Sequence, residues 1–329
     1  MKTKLSGWQK AGLIAGVGCF SILAVLVLGV VIAVVWARST MAELGDTTPT
    51  QVERAIALPP APAVPADGTA APGADGGREP HRLTVDLQEG EFTIRPGAPG
   101  SQVRVAGTFA EGLYELTDER DEAGGHTTIR FRSTAPMWVR IFSGMGGGES
   151  GSRPEVTVTI PQDMPIDLSL QVSMGESHID LGGLTLRDVN LDLSMGEHEV
   201  DFAEPVVDNV RRFRLNASMG NVSIGRLGNA RAAVLDTQGS MGNVTADLGG
   251  AWPQGTDAEL SFTQSMGELT VRVPSDVRLE TDIRRDDGGG DRQEPRAEPS
   301  PPSATDDPDA PRLRLRVTTS MGESRVVRY

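Results

Sequence analysis

Cysteine is almost absent: the chain of 329 residues holds one, Cys19. No internal disulfide and no Cys-x-x-Cys metal site can form. Aromatic residues make up only 4%, while Gly and Pro number 39 and 22. That balance favours turn-rich β-structure and linkers over helical bundles. Clustered positive charge is missing too. The formal net charge is −14 and is spread along the chain. This excludes a phosphate-backbone footprint, so no nucleic-acid partner is expected.

Charge is also missing from one long run. Residues 11–37, "AGLIAGVGCFSILAVLVLGVVIAVVWA", carry no charged residue. About 27 residues at ~1.5 Å each reach ~40 Å, enough to cross a hydrocarbon core of ~30 Å with tilt. Trp8 and Trp36 bracket the run; Lys2, Lys4 and Lys10 precede it; Arg38, Glu43 and Asp46 follow. The positive-inside rule then puts residues 1–10 in the cytoplasm and everything after Arg38 outside. The run is too long for the core of a cleavable signal peptide. A lipid anchor on Cys19 would leave most of the apolar stretch downstream of it. An uncleaved single-pass helix in the bacterial cytoplasmic membrane is the expectation, with the bilayer as its partner. Gly12 and Gly16 form a GxxxG pair, either a helix-packing face or glycines merely tolerated in lipid.

Residues 38–80 include "LPPAPAVPADGTAAPGADGGREP", which offers little to bury and reads as a disordered stalk. A second such tract at 284–311 reads as a disordered insertion. Between them, residues 81–161 read as an N-terminal β region. "LYELTDERDEAGGHTTIRFRS" reads as a hairpin, and "MWVRIF" and "PEVTVTIP" read as strands. The Gly-rich "SGMGGGESGSR" reads as a plain loop, because no helix follows to cradle a phosphate.

What the chain has in abundance is one four-residue phrase. It occurs as Ser173-Met174-Gly175-Glu176, Ser194-Met195-Gly196-Glu197, Ser218-Met219-Gly220-Asn221, Ser240-Met241-Gly242-Asn243, Ser265-Met266-Gly267-Glu268 and Ser320-Met321-Gly322-Glu323. The serines are 21, 24, 22, 25 and then 55 residues apart, the last gap containing the insertion. Such a period, with β-type alternation inside each unit, predicts an all-β single-stranded solenoid over 162–329.

The pattern within a unit predicts its shape. Six residues before each Met stand Leu168, Val189, Phe213, Leu235, Leu260 and Leu315. Four before stand Leu170, Leu191, Leu215, Thr237, Phe262 and Val317. Five after stand Ile179, Val200, Ile224, Ala246, Val271 and Val326. Even offsets before Met and odd offsets after it cannot share one face of an unbroken strand. The chain must bend between them, and the glycine after Met tolerates φ > 0 and close approach. Six such rungs stacked at ~4.8 Å make a body roughly 29 Å long.

Each motif position then becomes a column. The serines would bond along the stack or cap the turn. The parity of the methionines places them inside as adaptable filler; the other reading is an exposed stripe for lipid or an apolar partner. The column Glu176, Glu197, Asn221, Asn243, Glu268, Glu323 reads as a solvated row, with a hard-cation site as the sharper alternative. Ser194, His198 and Glu197, or Ser173, His178 and Glu176, could be cast as triads. Neither comes with a nucleophile elbow, and structural serines are favoured. His178 and His198 follow adjacent corners and read as an exposed pair; metal binding there matches no short signature. His81 and His126 read as surface residues. No catalytic, cofactor or metal residue is assigned.

The stretch "IPQDMPIDLSLQVSMGESHIDLGGLTLRDVNLDLSMGEHEVDF" resembles the toast-rack family of bacterial envelope proteins. It is also similar to LiaF-type domains of cell-wall-antibiotic responses and to putative-adhesin solenoids. The resemblance covers about residues 81–329 and is clearest over 162–273. It implies an all-β stacked repeat on or near a membrane with no assigned catalytic residues. Unlike the LiaF type, this chain has one membrane segment and a long stalk. The expected function is non-catalytic binding of an envelope protein or surface ligand, adhesin-like or stress-related. The alternative is an enzyme acting on glycan or peptidoglycan, betrayed by three or more acids converging on a concave face.

Overall fold

The computed structural model describes residues 49–58, 80–121, 125–134, 153–285 and 309–329. They form β1 (Thr50–Ile56), β2 (His81–Gly97), β3 (Val103–Phe109), β4 (Tyr114–Arg120), β5 (His126–Ser133), β6 (Glu155–Pro161) and β7 (Ile166–Asp180). Then follow β8 (Leu186–Asp201), β9 (Arg212–Gly225), β10 (Val234–Asp247), β11 (Asp257–Val273), β12 (Arg278–Arg285) and β13 (Arg312–Arg328). One 3-10 turn, Leu227–Ala230, interrupts the series. No helix of the described residues is long and apolar enough to cross a membrane. The apolar run at 11–37 lies outside them, as does "MWVRIF".

The chain is all-β. Strands β2, β7, β8, β9, β10, β11 and β13 stack in parallel, each hydrogen-bonded to the next in that order. The split series reflects the sequence: alternating apolar residues line one face of each strand, and short loops return the chain to start the next rung. Inside lie Leu168, Leu170 and Val172 before the bend of β7, and Ser177 and Ile179 after it. The same columns repeat through Val189, Leu191 and Leu193 on β8 and Phe213 and Leu215 on β9. The return segments close the remaining side with Leu181, Phe202, Leu227 and Leu248, all fully buried. Where a strand ends, a carboxylate holds the exit: Asp180 Oδ1 accepts from the amides of Gly182 (2.9 Å) and Ala203 (3.0 Å). Asn229 ties three turns together, donating to Phe202 O (2.8 Å) and accepting from the Ala251 amide (2.8 Å).

The first rung begins earlier than the sequence suggests. β2 pairs in register with β7 over residues 81–94, so the stack of parallel rungs continues N-terminal to residue 162. On its other side β2 meets a divided rung: β5 covers residues 82–87 and β6 covers residues 91–97. β4 and β5 form the expected antiparallel hairpin. β3 adds to β6 antiparallel, and β1 adds to β3.

β1 corrects the reading of 38–80 as one disordered stalk. Within Thr50–Ile56, Val52 is half-buried and Ile56 only 2% exposed, and β3 supplies an antiparallel partner. At the far end, Arg284 and Arg285 complete β12, and the Gly255 amide donates to Asp309 O. The tract at 284–311 is thus structured at both its edges; residues 286–308 lie outside the description.

A candidate functional site at the stacked corners

Each long strand bends at its glycine. Met174, Met195, Met219, Met241, Met266 and Met321 pair in register from rung to rung, as do Gly175, Gly196, Gly220, Gly242, Gly267 and Gly322. The glycines have φ between 112° and 148°. A Cβ built on any of the last five would overlap the carbonyl oxygen of the glycine one rung before it. So at the corner the direction in which a side chain would project turns from in-or-out to along the stack. Only a residue without a side chain fits there.

A seventh corner completes the column. Glu89, Gly90 and Glu91 on β2 pair with Met174, Gly175 and Glu176, and Gly90 has φ 151°. Sequence reasoning missed it because neither Ser nor Met is present. The available signal was the core pattern around Gly90, with Leu83, Val85 and Ile94 at the same offsets.

The methionines are the main correction at the site. They lie outside, between 38% and 65% exposed, rather than filling the core. The period-2 argument that placed them inside holds only for an unbroken pleat. The quarter-turn beginning at the motif serine swings Met outward, and inward pointing resumes three residues after Met at Ser177, His198, Val222 and Val244. The serines remain half-buried (Ser173, Ser194, Ser320) or exposed (Ser218, Ser240, Ser265).

Beyond the corner, outward side chains recur at two and four residues after Met. They line a shallow depression of roughly 460 Å3 that includes Glu176, His178, Glu197, Glu199, Asn221, Ser223, Asn243 and Thr245. The row continues through Glu268 and Glu323. Several members are already engaged. Arg153 Nη1 donates to Glu176 Oε1 at 2.9 Å, Arg325 Nη2 to Glu323 Oε1 at 2.9 Å, and the Glu268 amide to Asn243 Oδ1 at 3.2 Å. Unit charges on neighbouring rungs repel by only about 1 kcal/mol in water, so the row stands without a counter-ion. Among the described residues, no group of three or more His, Cys, Asp or Glu side chains is placed to hold a metal ion.

Neither imagined triad assembles, and the histidines do not pair. His178 points outward and meets Glu199 (Nδ1 to Oε2, 2.9 Å), whereas His198 points inward and is 3% exposed. His198 stands one place nearer its corner than His178, which flips its face. Its Nδ1 meets Ser177 Oγ at 2.8 Å, and its Nε2 is enclosed with no hydrogen-bond partner. Burial pushes its pKa down to about 4. Ser177 and His198 thus form a hydrogen-bonded pair buried beneath the depression. His81, read as a surface residue, is also buried, with Nε2 3.0 Å from Thr127 Oγ1. His126 is half-buried against Thr84 Oγ1 at 3.0 Å.

The solved structures similar to this chain are distant from it. A putative cell adhesion protein from Clostridium sporogenes is 11% identical, with a TM-score of 0.34, over 85% of this chain and 100% of that one. A putative adhesin from Bacteroides fragilis is 9% identical, with a TM-score of 0.35, over 86% of this chain and 98% of its own. A putative lipid binding protein from Parabacteroides distasonis is 11% identical, with a TM-score of 0.36, over 86% and 98%. No curated protein matches the chain. Residues 74–224 match the model described as the N-terminal domain of toast_rack, DUF2154, so that this part of the chain is similar to the toast-rack family.

Proposed function

We propose that this is a non-catalytic envelope protein, tethered by residues 11–37, that uses the outer corner of its stack to hold a partner in the bacterial envelope. The observation that carries this reading is the repetition of exposed side chains. Core columns vary freely in residue type, as at Leu215, Thr237 and Phe262, while the exposed Met is the same on six rungs. Packing does not demand that uniformity; a periodic contact surface does. Stacked rungs offer an extended face of this kind. Adhesin-like and stress-related roles both fall within the reading.

The enzyme alternative gains no support from the depression. Glycan hydrolysis needs one carboxyl kept protonated by an apolar, water-poor setting. Glu176, Glu197 and Glu199 are all exposed.

Photo-crosslinking in cells tests the proposal. A photoreactive residue at Asn221, in the corner row, should capture a discrete envelope protein, and more of it under cell-wall stress. The same residue at Arg214, on the outer face before the bend, should capture little. Equal capture at both positions, or glycan turnover by the purified full chain, would overturn the reading.

A further inference from the structure

The six exposed methionines have a chemistry that an apolar contact would not require. A merely hydrophobic ridge could be built from Leu, Ile or Val, and β-branched residues suit strands better. A recent duplication of the repeat does not account for the uniformity either, since the neighbouring columns have diverged. Three residues after Met, for example, stand Ser177, His198, Val222, Val244, Leu269 and Ser324. What Met alone brings is a soft, polarizable thioether on a chain with three rotatable bonds.

We propose that the corner column is a binding site for a soft monovalent cation of the Cu(I) or Ag(I) type, held between thioethers of adjacent rungs. Thioethers select such ions over hard cations and over Zn²⁺. Taking the ~2.3 Å of a zinc–thiolate bond as the scale of a metal–sulfur contact, two sulfurs on one ion lie up to ~4.6 Å apart. The rungs are spaced by ~4.8 Å and the methionines pair in register, so rotation of neighbouring side chains can bring two sulfurs to that separation. The central four, Met195, Met219, Met241 and Met266, each have a methionine on both sides. Beside them runs the row containing Glu197 and Glu268, whose negative potential draws cations toward the ridge. The chain's single thiol, Cys19, is far away in sequence and outside the described residues. The site goes beyond the partner-binding reading and stands without it, because the ion needs only this chain.

Silver ion is the redox-inert probe. The full chain carrying Cys19→Ser, labelled at its methionine methyl carbons, is titrated with Ag⁺ in chloride-free buffer. The six corner methyl signals should shift within the first three equivalents. That of Met164, which packs against the core, should not. Met195→Leu, Met241→Leu and Met321→Leu together leave no two thioethers on adjacent rungs, and should weaken Ag⁺ binding at least tenfold while leaving the melting temperature unchanged. Zn²⁺ and Ca²⁺ should shift none of the six. Absent corner shifts, equal shifts at Met164, or undiminished affinity in the leucine variant would overturn the proposal. The last of these would make the ridge an apolar contact surface only. Should the leucine variant misfold, the methyl shifts of the parent chain decide the matter.

Discussion

Replacing Gly196 with Ala should destabilise the fold by roughly 3 kcal/mol or more, a loss read as a fall in the denaturant midpoint. Two penalties combine at this position. The φ of 136° lies where L-residues are strained, typically by ~1–3 kcal/mol. The new Cβ would also overlap Gly175 O, a backbone atom tied into the ladder that cannot rotate away. Overpacking of that kind costs another ~1–3 kcal/mol. Gly100→Ala is the matched control. Gly100 also has positive φ, at 71°, but nothing stands within 4 Å of its missing Cβ. It should lose only about 1 kcal/mol, the conformational part alone. Equal losses at the two sites would mean that strain, not the close approach of stacked corners, sets the cost.

Acid should weaken the protein through His198, and the sign is fixed by its burial. In the unfolded chain the imidazole titrates near its ordinary 6.5; folded, it is pushed down to about 4. Above pH 6.5 both states are neutral and the full stability is present. As pH falls below 6.5, the unfolded chain takes up a proton that the folded one refuses, and stability drains until the folded form titrates near 4. The loss amounts to at most about 3 kcal/mol at ~1.36 kcal/mol per pH unit. Other rungs show how to remove it, since Val222 and Val244 fill the same inward position on β9 and β10. Ser177→Val with His198→Leu replaces both partners of the buried pair, a change expected to be nearly neutral at pH 7. Denaturation midpoints of this variant should fall less between pH 7 and 4.5 than those of the parent. Parallel decline in the two proteins would show that His198 does not carry the effect.

Much of the stack was legible because its determinants are local and periodic. The columns at Leu168, Leu170 and Ile179 followed from alternation alone, and so did the need for a bend between them. What alternation cannot convey is how the chain turns at that bend. It therefore misplaced the methionines, and it treated His178 and His198 as equivalent although one residue of offset puts them on opposite faces. The corner at Gly90 escaped notice for a related reason. The close approach of rungs demands only the glycine, so a search keyed to Ser and Met was tuned to the surface chemistry rather than to the fold. β1 was hidden by its setting: a short edge strand inside a Pro- and Ala-rich tract declares itself only when β3 is there to pair with it.

The stacking of the corners is open to direct measurement by electron-spin distances on the full chain with Cys19→Ser. Spin labels on cysteines at Glu91 and Glu323, six rungs apart, should be separated by roughly 29 Å at ~4.8 Å per rung. Labels at Glu176 and Glu323, five rungs apart, should give about 24 Å, and Glu176 with Glu268 about 19 Å. A distance that grows by one strand spacing per rung is the predicted result. Separations that bear no relation to the number of intervening rungs would contradict the stack, and with it the ridge of methionines that depends on it.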